Sequence, residues 1–147
     1  MSVALKAAAE AMGAAVIRIE GERQEMEGGR KTWYFPDGYL PEKNEQGPLE
    51  AHEALMLFNT GAVPVKVLVD FYFENRSPVK DVEVTVGAER VRTLRLDLCE
   101  SFGGPFIPPL TQYALRVRAD APIVAQFGRI DTTQTCLAYY GTPGYAE

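Results

Sequence analysis

The sequence predicts an all-β protein: an antiparallel β-sandwich of about eight short strands, carrying a short N-terminal helical extension. Three observations predict it. From position 32 onward, apolar residues recur with a period of two, the period of a half-buried strand. Clusters of Gly, Pro, Asn and Asp interrupt those runs at short intervals, as turns do. No helical period alternates with them, which excludes the βαβ architecture of Rossmann and P-loop proteins.

The elements follow in order. Residues 1–28 read as the extension and its linker, and residues 29–147 as the sandwich domain. Val3, Ala4, Ala7, Ala8, Ala11, Met12, Ala15 and Val16 share one helical face, with Lys6 and Glu10 outside it. Alanine buries little area, so such a helix would dock weakly or pair with a copy of itself. Residues 20–31 are charged and glycine-containing, as a linker would be. Thr32-Trp33-Tyr34-Phe35 is a strand candidate, and Pro36-Asp37-Gly38 reads as the turn after it. Residues 54–58 form a short apolar run that Asn59-Thr60-Gly61 ends.

The clearest alternation comes next. Val65, Val67, Val69, Phe71 and Phe73 face one way; Lys66, Asp70, Tyr72 and Glu74 face the other. After the turn Asn75-Arg76-Ser77-Pro78, Val82, Val84 and Val86 alternate with Asp81, Glu83 and Thr85, and residues 90–96 supply a further strand. Arg90, Arg92 and Arg95 are expected to be solvated or to pair across strands with Asp81 and Glu83. Residues 97–111 hold adjacent prolines and glycines and predict irregular backbone. Tyr113, Leu115 and Val117 then alternate with Arg116 and Arg118. Asp120-Ala121-Pro122 reads as a turn into residues 123–127, and residues 136–140 make the last strand.

Composition narrows the function classes. The chain has 147 residues, one domain's worth, and at 46% hydrophobic and 24% charged it is not a disordered chain. A domain of that size needs neither disulfides nor a metal to hold it. A formal charge of -5 argues against nucleic acid as the partner. One histidine, His52, and two cysteines, Cys99 and Cys136, are too few for a tetrahedral Cys/His zinc site within one chain. They also leave a Ser-His-Asp hydrolase only His52 as its base. No cofactor or metal is expected. In the N-terminal stretch Glu10 and Gly13 break the apolar run, and Ile17-Arg18-Ile19-Glu20 stands where a secretion signal would be cleaved. With two unpatterned cysteines, the expected compartment is a reducing cytoplasm.

Several strings, in order, resemble one family. They are Gly29-Arg30-Lys31-Thr32-Trp33, Pro36-Asp37-Gly38-Tyr39-Leu40-Pro41, His52-Glu53, Leu57-Phe58-Asn59-Thr60-Gly61, Ala121-Pro122-Ile123-Val124-Ala125-Gln126 and Arg129-Ile130-Asp131-Thr132-Thr133-Gln134. Together they are similar to the sensory rhodopsin transducer-like proteins. That resemblance implies a β-sandwich assembling as a cytoplasmic homotetramer, a module binding a small molecule such as a sugar or related metabolite, and no catalytic activity. It does not by itself imply a rhodopsin partner; a membrane sensory receptor is the partner in the alternative reading of the chain as a docking transducer. The chain departs from the family's pattern at Ala88-Glu89-Arg90-Val91 and at Phe127-Gly128, and its N-terminus runs some way ahead of a family start near Met26.

The candidate ligand-binding residues are Trp33, Asp37, Tyr39, His52, Glu53, Asn59, Gln126, Arg129, Asp131 and Gln134. Trp33 and Tyr39, with Tyr34 and Phe35, flank Asp37; aromatic faces beside a carboxylate suit a sugar ring, and equally suit a core or a subunit contact. His52 and Glu53 are adjacent in a strand, so they point to opposite faces and form no dyad. His52 then serves as a polar pocket-rim group or as a satisfied structural one, or, in the enzymatic alternative, as a general base. Arg129 and Asp131 share a face, where they would flank a ligand or form an interface network; Gln126 and Gln134 add donors and acceptors. A carboxylate pair drawn from Asp37, Glu53 and Asp131 keeps a carbohydrate-active enzyme as the remaining alternative.

Overall fold

A computed structural model describes residues 28–43 and 47–147. The expected N-terminal helix lies outside the described residues. Eight strands form one antiparallel sheet folded on itself: β1 (Arg30–Tyr39), β2 (His52–Asn59), β3 (Val65–Phe73), β4 (Val79–Val86), β5 (Arg90–Arg95), β6 (Gln112–Asp131), β7 (Ala138–Pro143) and β8 (Tyr145–Ala146). The strand that does the folding is β6, 20 residues long. Its first part pairs with β1 and β3, in the order β4-β3-β6-β1-β8. Its second part lies between β2 and β7, and β5 pairs with the far side of β2. The sandwich and its strand count are as the period predicted.

One core fills the space between the halves. Inward positions of β3 (Val65, Val67, Val69, Phe71) meet Leu55 and Leu57 of β2 and Val117 of β6 within a single buried cluster. Each such side chain contributes roughly 1.5–3 kcal/mol of burial. Phe35 from one half and Phe127 from the other stand 6.2 Å apart, centroid to centroid.

Four local expectations are corrected. Pro36-Asp37-Gly38 is an irregularity inside β1, which slips register between Phe35 and Gly38 and continues to Tyr39. Asp120-Ala121-Pro122 lies inside β6, in the stretch where that strand exchanges one set of partners for another. Pro122 is tolerated there because a strand changing partners does not need every N–H in a ladder. Residues 96–102 form a 3₁₀ segment (Leu96–Phe102), closed by Gly103 in the left-handed region at φ 81°. The last strand begins at Ala138, and β8 returns to pair with β1.

Charges are also placed differently. Asp70 points away from the core as its alternation requires, yet it is fully buried beneath Arg116 and Arg118. Burial alone would raise its pKa, but bonds from the Asp81 backbone N–H and both guanidiniums hold it below the usual carboxylate value. The arginines of β5 do not ion-pair with Asp81 or Glu83 of β4, because β5 lies against β2; Arg92 reaches β4 only at the Thr85 carbonyl, at 2.8 Å. Arg95 bonds Asp97, Glu83 meets Lys66, and Asp81 meets Arg118.

Candidate functional site

Register decides which polar residues meet. Opposite Arg129 in β6 stands Glu53 on one side and Tyr140 of β7 on the other. Glu53 is inward-facing and fully buried, so its charge must be met from within. Arg129 Nε donates to Oε1 at 2.6 Å, and the Tyr39 backbone N–H donates to the same oxygen at 2.9 Å. The Tyr113 hydroxyl donates to Oε2 at 2.5 Å. Burial, and then the Glu53 charge, push the Tyr113 pKa well above its ordinary value, so the phenol stays a donor. Burial works against the Arg129 charge, but the Glu53 bond and charge outweigh it and raise its pKa.

This cluster reaches solvent through the far end of Arg129. Its Nη2 donates to the Asp37 carbonyl at 3.3 Å and lies 3.9 Å from the Asp37 carboxylate. The guanidinium stands 5.1 Å from the centroid of the Tyr140 ring, whose hydroxyl contacts Asp37 at 3.4 Å. Two residues on, Asp131 accepts from the Thr133 N–H at 2.8 Å and the Thr133 hydroxyl at 2.6 Å. Those two bonds lower its pKa and keep it ionised. The β6–β7 loop then borders a hollow of about 600 Å³, lined by Gly47, Pro48, Leu49 and residues 132–137. The hollow and the Glu53–Arg129 cluster therefore adjoin along β6 without coinciding.

Of the ten candidates, the structure brings Asp37, Glu53 and Arg129 together with the backbone of Tyr39; Asp131 follows on the same strand and Gln134 lines the hollow. The others lie elsewhere. Trp33 is buried, its indole N–H shared between the carbonyls of Arg30 and Ile123. Asn59 is buried at the far end of β2, its amide nitrogen donating to the carbonyls of Val63, Val86 and Gly87. His52 and Glu53 do point to opposite faces. His52 Nδ1 lies 2.8 Å from the Glu50 carbonyl, which can only accept, so this contact places a proton on Nδ1. Gln126 borders a separate groove on the outer face.

Tyr113 and Tyr140 belong to the cluster and were not foreseen in that role. Tyr113 was legible only as an apolar strand position, and nothing in its neighbours announced a buried acid 60 residues away. Among the described residues, no three His, Cys, Asp or Glu side chains are grouped as metal ligands.

A family model described as the Anabaena sensory rhodopsin transducer matches residues 28–146. The chain belongs to that family. Among solved structures it is similar to Thermotoga maritima 1070, at 34% identity and a TM-score of 0.71, over 82% of this chain and 97% of that one. It is also similar to the Anabaena sensory rhodopsin transducer, at 31% identity and a TM-score of 0.59, over 71% of this chain and 90% of that one. No curated protein matches the chain. The transducer-family match spans all eight strands, and with them every residue of the Glu53–Arg129 cluster.

Proposed function

We propose that this transducer-family chain is a non-catalytic binding module for a small, uncharged polar ligand, a sugar or related metabolite. In this reading it acts as a cytoplasmic homotetramer in signalling or metabolic sensing. The observation that supports this is the hollow of about 600 Å³ bordered by the β6–β7 loop, which begins three residues after Arg129, a size suited to a small molecule. Electrostatics select the ligand's charge. Glu53 and Arg129 cancel, which leaves the carboxylates of Asp37 and Asp131, so an anion is repelled and hydroxyls are favoured. Asp37 and Gln134 accept, Arg129 donates, and the face of Tyr140 suits the C–H side of a ring.

The test is thermal-shift and calorimetric titration of the full chain with a panel of mono- and disaccharides. A saccharide that raises the melting temperature is expected to lose its effect in Asp37→Asn and Gln134→Ala, both at exposed positions. A panel without response, or variants that respond like wild type, would overturn the reading. A second reading, a protein-interaction transducer docking to a membrane receptor, is favoured by the description of the family itself.

A further inference from the structure

The edges of the sheet are protected unequally. Among the described residues, β4, β5 and β7 each pair along one side, which leaves the N–H and C=O groups of the other side outside any ladder. β4 carries Lys80, Asp81 and Glu83, and β5 carries Arg90, Arg92 and Arg95. Charges of that kind deter a further strand. β8 is two residues long. β7, Ala138-Tyr139-Tyr140-Gly141-Thr142-Pro143, has no charged residue, and five of its six residues are exposed. At about 20 Å it offers a partner strand five or six residues of pairing.

The side chains around this edge indicate what kind of strand fits it. Successive residues alternate between faces, so Tyr139 and Tyr140 put one ring on each. Tyr139, 67% exposed, lies over Gly128, where a Cβ would stand 2.8 Å from the Tyr139 hydroxyl. Tyr140 stands on the face of Arg129 and Asp37. On that same face Ala138 is opposite Asp131 of β6. A strand laid against β7 therefore finds the Asp37 carboxylate, its side chain 70% exposed, beside Tyr140, and the Asp131 carboxylate across the small Ala138. Three carboxylates, Glu53, Asp37 and Asp131, stand there against the guanidinium of Arg129, which Glu53 already holds.

Charge also chooses between occupants. A second copy pairing through its own β7 would bring the same carboxylates to the same edge, on a chain whose formal charge is already -5. Like charges brought together in this way cost free energy, whereas a basic strand gains from them. We propose that the free edge of β7 is a β-augmentation site, which takes an extended, lysine- or arginine-bearing segment of a partner protein as a further strand. Main-chain hydrogen bonds supply the affinity. Alternate cationic side chains, turned toward Asp37 and the Tyr140 ring, supply the selectivity. The edge binds in this way whatever occupies the hollow.

The probe is a fluorescently labelled octapeptide of alternating threonine and lysine, titrated with the full-length chain by anisotropy. It is expected to bind, and the peptide with glutamate in place of lysine to bind at least tenfold more weakly. Two further probes carry N-methyl groups on every threonine or on every lysine. Alternate residues of a strand turn their N–H groups to opposite edges. One methylated peptide is therefore expected to bind like the parent, and the other at least tenfold more weakly. In the isotope-labelled chain, the amide signals of Ala138 to Thr142 are expected to shift. Asp37→Asn with Asp131→Asn, checked by circular dichroism for an intact sheet, is expected to weaken binding at least threefold. No binding, a glutamate peptide that binds equally, or equal effects of the two methylations would overturn the proposal. Shifts confined to other strands, or a double variant that binds like wild type, would do the same. So would binding that emerges only as an oligomer dissociates on dilution, which would give the edge to a second copy.

Discussion

Glu53 has no access to water, and Arg129, Tyr113 and the backbone N–H of Tyr39 converge on its two oxygens. Glu53→Gln removes the charge and one acceptor, and leaves Arg129, whose side chain is 17% exposed, without its main counter-charge. Breaking a buried pair from one side is expected to cost about 3 kcal/mol. The measurement is the urea midpoint, which should fall with its slope unchanged. Replacing both partners with apolar residues of similar volume should recover part of that loss. A single variant within about 0.5 kcal/mol of wild type would mean the pair adds no stability. At this scale the sequence named the right residues and could not pair them. Glu53 and Arg129 both stood out as polar groups among strand residues, but they are 76 positions apart, and only the β2–β6 register puts them opposite each other.

Turn chemistry proved the least transferable signal at the level of elements. Pro36-Asp37-Gly38 and Asp120-Ala121-Pro122 have the composition of turns, and both lie inside strands. Each occupies a place where the ladder is already irregular, one at a register slip and one at a change of partners, so a proline costs little there. The alternating valines of β3 and β4 were legible because period two survives any choice of partner. The partner of β5 was not, since its basic residues suited the acidic β4 as well as they suited solvent. Gly38 connects the irregular element to the cluster. A Cβ there would stand 2.6 Å from the Tyr113 ring, which is buried and held by Glu53, with Phe73 packed 6.5 Å away. Gly38→Ala is therefore expected to destabilise the fold by about 1–3 kcal/mol, through crowding of a ring that has no room to withdraw. Chemical denaturation checks it: a midpoint equal to wild type would show that Tyr113 yields without strain.

For the whole molecule, the shared strand sets the cooperativity. The two halves of the sandwich are covalently one through β6, and their inner faces contribute to one buried cluster rather than two. Neither half can expose its inner face without uncovering the other, so partial opening costs nearly as much as global unfolding. Trp33 is the only tryptophan, and its indole N–H bonds the Ile123 carbonyl at 3.1 Å, beside the stretch where β6 passes between halves. Its fluorescence therefore reports the junction, while far-ultraviolet circular dichroism reports strands of both halves. The two probes are expected to trace one coincident urea transition, as a two-state domain requires. A fluorescence change that precedes the loss of sheet signal would mean that the halves part before they unfold. The single core would then be weaker at the junction than its burial indicates.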